Sequence, residues 1–171
     1  MVAGVTVDID LATDIAAPID MVFDLARDLD LHARSMAHTG ERAVGGRTTG
    51  RVESGDTVSW RARHFGIWWT LKSRIVVVER PTCFEDVQER GPFAWFHHEH
   101  RFEALPGGGT RMKDRWQHRS PFGPLGWLVD RLVLGRYMRL LLKTRNAALK
   151  REAESESAAD ESAIARLASR Q

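Results

Sequence analysis

The sequence predicts an α+β fold: a curved antiparallel sheet of about seven strands around a long C-terminal helix, with two short helices after strand 1. Three observations predict it. Five strand-like runs follow one another between Thr57 and Arg119 across short Gly/Pro links, which favours a meander of antiparallel hairpins. Two helix-period segments separate the first strand from this block. Beyond Pro124 no proline recurs, and apolar residues return at spacings of three and four.

Taken in order, Val5, Val7, Ile9 and Leu11 share one parity against polar Thr6, Asp8 and Asp10, the period of a half-buried strand. Pro18 stands where a helix can start, with Ile19, Val22, Phe23 and Ala26 at helical spacing behind it. A second short helix is expected over Asp28 to Met36. Gly40, Gly45, Gly46, Gly50 and Gly55 then break the chain into turns and short strand pieces. The five runs are Thr57–Phe65, Ile67–Glu79, Thr82–Arg90, Phe93–Leu105 and Thr110–Arg119, the last two joined by Pro106-Gly107-Gly108-Gly109. Leu125, Leu128, Leu132, Met138, Leu141, Leu142 and Ala148 mark one helix over about 124–152. The domain is therefore expected over 1–152, followed by a polar, mobile tail over 153–171.

Composition excludes several classes. A chain of 171 residues suits one domain, and 43% hydrophobic with 28% charged residues is a globular balance. No run of 18 uncharged apolar residues exists, so no membrane-spanning helix is expected. The start, MVAGVTVDID, has no basic segment followed by an apolar one, so no secretory leader is expected. The single cysteine, Cys83, excludes an internal disulfide and any C-x-x-C zinc pair, and it implies a reducing, cytoplasmic setting. A net charge of +2 from scattered arginines does not call for a nucleic-acid partner.

Four phrases carry a family resemblance. They are Asp30-Leu31-His32-x-Arg34-Ser35-Met36; Phe93-x-x-Phe96-x-His98-x-His100-x-Phe102; Gly107-Gly108-Gly109-Thr110-Arg111-Met112; and Arg119-Ser120-Pro121-x-Gly123-Pro124-Leu125-Gly126. With them the chain resembles an uncharacterised bacterial subgroup of the SRPBCC (START-like) superfamily, which includes polyketide cyclases and lipid carriers. The resemblance implies the helix-grip fold and a cavity between sheet and helix. It implies no shared catalytic set.

Parity assigns each strand a face toward the helix. Inward go Val58, Trp60, Ala62 and His64; Ile67, Trp69, Leu71, Ile75 and Val77; Phe84, Asp86 and Gln88; Phe96, His98, His100 and Phe102; Met112, Asp114, Trp116 and His118. Trp60, Trp69 and Trp116 should be buried against the cavity, whereas Phe65, Trp68 and Trp95 fall on the outer parity. The outer tryptophans mark either a partner surface or packing on arginine stems. If Phe102 faces Met112, His100 faces Asp114 and His98 faces Trp116. A buried His–Asp pair of this kind is expected to raise the histidine pKa and lower that of the aspartate. Its bland use is a register-fixing contact; its chemical use is acid–base work on a ligand carbonyl or enol.

The candidate ligand-binding residues are Trp60, His64, Trp69, Phe84, Asp86, Phe96, His98, His100, Met112, Asp114, Trp116 and His118, with His100 and Asp114 as catalytic candidates. His32, Arg34, Ser35 and His38 could form a polar rim. His98-x-His100 offers two imidazoles on one face, with Asp114 or His118 as a third ligand, but the spacing alone is weak and no metal or cofactor is expected. Cys83 has no activator, and Arg111, Lys113, Arg115 and Arg119 form a basic outer stripe. The reading is a hydrophobic or aromatic small-molecule binder, monomeric or homodimeric. The alternatives are a cyclase/dehydratase-type enzyme using His100–Asp114 and a lipid-handling protein with peripheral membrane contact.

Overall fold

The alternating Val7, Ile9 and Leu11 lie in β1 (Val7–Ile15), which pairs antiparallel with the last strand and not with its neighbour in sequence. The computed structural model describes residues 6–120 and 133–169. After β1 come α1 (Ile19–Ala26), α2 (Leu29–Ser35), a 3₁₀ turn (Ala37–Thr39), β2 (Arg42–Gly46), β3 (Thr57–His64), β4 (Ile67–Glu79) and β5 (Cys83–Arg90). Then follow β6 (Trp95–Ala104), β7 (Thr110–Arg119) and α3 (Gly135–Ala168). The seven strands form one antiparallel sheet in the order β1-β7-β6-β5-β4-β3-β2. This is the α+β helix-grip architecture.

Local chemistry sets the entry to each short helix. The Pro18 carbonyl accepts from Val22 N at 3.1 Å, and the Asp28 carboxylate caps α2 by accepting from Leu31 N at 2.7 Å. The apolar face of α1 buries Val22 and Phe23; the Phe23 ring meets Phe84 and Phe102 edge-on, with centroids 6.1 and 5.4 Å apart. Leu149 and Ala153 of α3 close the same cluster from above. Gly46 on β2 has φ +70°, and a Cβ there would lie 2.0 Å from the Thr57 carbonyl oxygen, so the β2–β3 approach needs glycine.

The hairpin register is the expected one: Phe102 opposite Met112, His100 opposite Asp114, His98 opposite Trp116. On β4 the expected parity fails. The pairing with β5 slips between Ile75 and Val77, so Val77 lies opposite Glu85, and Val78 packs on the core in its place. An extra residue in one strand turns every following side chain over, and isolated parity cannot register it.

Residues 124–132 of the expected helix lie outside the described residues, as do Leu125, Leu128 and Leu132. At its other end α3 runs on to Ala168, well past Glu152. The stretch expected as a mobile tail is therefore helical as far as Ala168, with Ala153 and Ser157 buried and 158–169 exposed. Its Ala and Glu residues are strong helix formers, no Gly or Pro interrupts them, and Lys150 pairs with Glu154 at i,i+4.

The outer stripe is matched by acids on neighbouring strands. Arg111 grips Asp14 bidentately at 2.7 Å, Lys113 meets Glu103 at 2.6 Å and Arg115 meets Asp8 at 3.4 Å. The outer tryptophans carry arginines: Arg61 lies 5.0 Å over Trp68, and Arg119 lies 5.4 Å over Trp95. No helix among the described residues is long and apolar enough to cross a membrane.

Candidate functional site

A cavity of about 520 Å³ lies between the sheet, α2 and α3. Its floor is built by inward residues of β5, β6 and β7. Phe84, Phe96, His98, His100 and Trp116 line it and are all buried. Asp86 lines it too, and the surface its side chain keeps opens on this space. Phe96 and Trp116 stack at 4.3 Å, and Phe84 stacks on His100 at 4.1 Å. Trp60 and His64 of β3 form the side wall.

Phe65, Trp69 and Val133 line the cavity and are exposed, which places its mouth at the β3–β4 hairpin and the start of α3. The expected burial of Trp69 fails: it is 41% exposed. The β4–β5 ladder ends at the Lys72–Arg90 pair, so residues 67–71 overhang β5 and Trp69 has a strand on one side only. Phe65 holds φ +52° at the hairpin tip and packs on Tyr137 at 4.6 Å.

Three expected wall residues lie outside the lining. Met112 is in the core beneath α1 and α3. His118 is buried and accepts from Trp116 Nε1 at 3.0 Å. Asp114 is buried behind the wall, where α3 covers it and Asn146 donates to its Oδ2 at 2.5 Å. Its Oδ1 lies 2.7 Å from His100 Nδ1 and 3.4 Å from His98 Nε2. Both approaches are at contact distance but off the hydrogen-bond line. One carboxylate thus backs two imidazoles that face the cavity.

Asp114 shifts in the expected direction and His100 in the opposite one. Burial pushes the Asp114 carboxyl up, but the His100 and His98 contacts outweigh it and hold the group well below the usual range. Burial, with His98 and Arg145 nearby, holds His100 well below its ordinary value, and Asp114 recovers only part of this. The pair is therefore a carboxylate beside a neutral imidazole. Burial raises Asp86, with His98, Arg145 and His32 partly offsetting it.

A second polar group sits toward the mouth. His32 Nε2 meets Glu41 Oε1 at 3.0 Å, and the His32 ring stacks on Trp60 at 4.3 Å. Burial raises Glu41, but the His32 bond and the charges of His32, His64 and Arg145 leave it lowered. His64 Nδ1 is 2.8 Å from the Tyr137 hydroxyl, and burial lowers its pKa. Of the expected rim only His32 lines the cavity: Arg34 reaches Glu152 at 3.4 Å, Ser35 bonds the His32 carbonyl, and His38 is exposed. Glu41, Tyr137 and Arg145 line it unforeseen, since one sits in a glycine-broken loop and two on a helix whose facing could not be fixed from sequence. Cys83 is buried on the outer face, and burial with neighbouring Glu85 pushes its thiol up to about 11, which leaves it unreactive.

Residues 6–154 match the family described as polyketide cyclase / dehydrase and lipid transport. A search of curated proteins finds no match. Among solved structures, TTHA0849 from Thermus thermophilus superposes with TM-score 0.72 at 17% identity, covering 88% of this chain and 99% of that one. The di-domain ARO/CYC StfQ of the steffimycin biosynthetic pathway gives 0.72 at 16% identity, covering 90% of this chain and 52% of that one. Major latex-like protein 151 of Panax ginseng gives 0.61 at 14% identity, covering 88% and 99%. At these identities the likeness is one of fold.

Proposed function

The chain belongs to the polyketide cyclase / dehydrase and lipid transport family, and from that premise we propose that it binds a hydrophobic or aromatic small molecule in the cavity between sheet and α3. The observation that carries this is the cavity itself: about 520 Å³, walled by Phe84, Phe96, Trp60 and Trp116, with His98, His100 and Asp86 grouped at its floor. Such a volume suits a drug-sized ligand, the aromatic wall supplies affinity, and a few converging polar groups orient the ligand's oxygens. Native mass spectrometry of the purified protein identifies a co-purified molecule. Titration with the apolar dye anilinonaphthalene sulfonate tests the site. Ala62 is buried on the wall, so Ala62→Trp fills the cavity; dye affinity should fall at least ~10-fold with the melting temperature nearly kept. Unchanged binding by that variant refutes the reading.

A second reading, acid–base turnover of a polyketide-like ligand, rests on one observation: His100 lies at the cavity floor with the Asp114 carboxyl 2.7 Å behind it, where burial lowers the histidine pKa. Turnover of a poly-β-ketone lost in His100→Gln, with dye binding intact, supports it. Turnover surviving that change refutes it.

A further inference from the structure

Two imidazoles and a carboxylate converge at the cavity floor, and the carboxylate is not the Asp114 that the sequence spacing suggested beside the two histidines. One ligand atom each from Asp86, His98 and His100 lies within 4.8 Å of the others. They come from neighbouring strands: Asp86 stands directly opposite His98 across the β5–β6 ladder, and His100 follows two residues on along the same face. Asp114, the third ligand that spacing suggested, is not in this group. It sits behind it, with Oδ1 against His100 Nδ1 at 2.7 Å and His98 Nε2 at 3.4 Å. That leaves His98 Nδ1 and His100 Nε2 free of Asp114, and His98 Nδ1 is 3.9 Å from Asp86 Oδ1.

We propose that Asp86, His98 and His100 form a binding site for one divalent transition-metal ion at the floor of the cavity. The donor set is two imidazole nitrogens and one carboxylate oxygen. That set suits iron(II), cobalt(II) or zinc(II) and leaves coordination positions open toward the cavity. Metal–ligand bonds of about 2.0–2.2 Å need the three donors to close by no more than about an ångström or two, within reach of side-chain rotation. The outer shell is already built. A histidine ligand characteristically turns its other ring nitrogen to a carboxylate. Here one carboxylate, with side chain wholly buried, serves both rings and is itself held by Asn146 Nδ2 at 2.5 Å. The His98 Nε2 and His100 Nδ1 atoms on that side are buried with no in-line protein acceptor, an arrangement that ring rotation toward an ion would align. Among the described residues two arginines line the cavity: Arg27 is engaged by Asp24 and Glu53, and Arg145 donates to the Ala26 carbonyl at 3.2 Å. Two carboxylates against one guanidinium leave the floor with a formal charge of −1, which favours a cation.

The test is titration of the chelator-treated full chain with cobalt(II), read by calorimetry, by visible absorption of the bound ion and by melting temperature. The expected result is one ion per chain with a rise in melting temperature. Asp114→Asn, which leaves the donors in place, should weaken binding ~10–100-fold. Asp86→Asn should weaken it more than Asp114→Asn does, and so should His98→Gln. The second group of potential donors, Cys83, Glu85 and Glu99, lies on the outer face, so Cys83→Ser should bind as the wild type does. Circular dichroism confirms that each variant is folded; Asp86, the least buried of the three ligands, is the variant least exposed to misfolding. No saturable binding by the wild type overturns the proposal. So does wild-type affinity in both Asp86→Asn and His98→Gln, or loss of binding in Cys83→Ser.

Discussion

Asp114→Ala is the most demanding test of the polar layer under α3. The carboxylate is fully buried and lies against three groups: Asn146 Nδ2 at 2.5 Å, His100 Nδ1 at 2.7 Å and His98 Nε2 at 3.4 Å. Truncation strands the Asn146 amide and removes the carboxylate beside two imidazoles whose nitrogens already lack an in-line acceptor. An unsatisfied buried donor costs about 1–3 kcal/mol, and loss of the charged contact to the two rings adds to it. Relief follows from no longer burying an ion, which returns several kcal/mol. The net expectation is a loss of about 3–5 kcal/mol, the range for breaking one partner of a buried charged group. Asp114→Asn keeps the shape and one acceptor oxygen and should lose about 1–3 kcal/mol.

Urea unfolding followed by tryptophan fluorescence measures both, with the slope of free energy on urea checked for constancy. The pH dependence separates charge from shape. Asp114 has a folded pKa well below its ordinary 3.8, so its stabilisation is present above that value and is lost as pH falls through the folded pKa. The gap between wild type and Asp114→Ala should hold between pH 7 and about 5 and narrow only below about 4. A gap under about 1 kcal/mol at pH 7, or one already closing between pH 7 and 5, refutes the account of an ionised, engaged carboxylate.

Three further outcomes follow from the packing. His100 and His64 are both lowered by burial, so the unfolded chain binds more protons below their ordinary 6.5, and stability should fall as pH drops from about 7 toward 5. His100→Gln should flatten that slope in unfolding titrations, and an unchanged slope counts against a neutral His100. Leu149→Ala should lower stability by about 2–5 kcal/mol because Leu149 is buried in the main cluster, whereas deleting 159–171, all exposed where described, should change it by less than about 0.5 kcal/mol. Equal losses in the two would contradict the division of α3 into a packed and a free length. Gly46→Ala should cost at least about 2 kcal/mol by calorimetry, since its methyl would collide with the Thr57 carbonyl and its φ is +70°; a neutral result would mean that β2 moves aside.

The face of each strand was legible wherever a ladder ran without interruption. His98, His100, Asp114 and Trp116 fall on the predicted side because the Gly107–Gly108 turn and period two leave few registers. The reading broke on β4, where a bulge replaces Val77 by Val78 in the core, because a one-residue insertion leaves no mark on composition. The direction of the pKa shift was misjudged at His100. A neighbouring aspartate suggested a raised histidine pKa, yet desolvation, His98 and Arg145 together outweigh it, and only the fold brings Arg145 there from α3.

Parity carries one bit per residue, inside or outside, and a helix-grip site needs a second quantity, depth. Along the inward face of β7, Met112 and Asp114 lie under α3 and are sealed, while Trp116 emerges on the cavity. Along β4 the same inward parity leaves Trp69 at the open mouth, beyond the last β5 partner. What divides these fates is where α3 crosses the sheet and where each strand outruns its neighbour, neither of which is local to a strand. The consequence is chemical. Asp114, on parity a wall residue, sits behind the wall and acts on the cavity only through His98 and His100. Asp86, by contrast, lines the cavity directly. An Asp86→Asn variant should therefore alter dye binding with little loss of stability, and Asp114→Ala should lower stability with little change in dye binding. Parallel dye-binding and unfolding measurements on the two would invalidate this ordering by depth if both variants changed the same property.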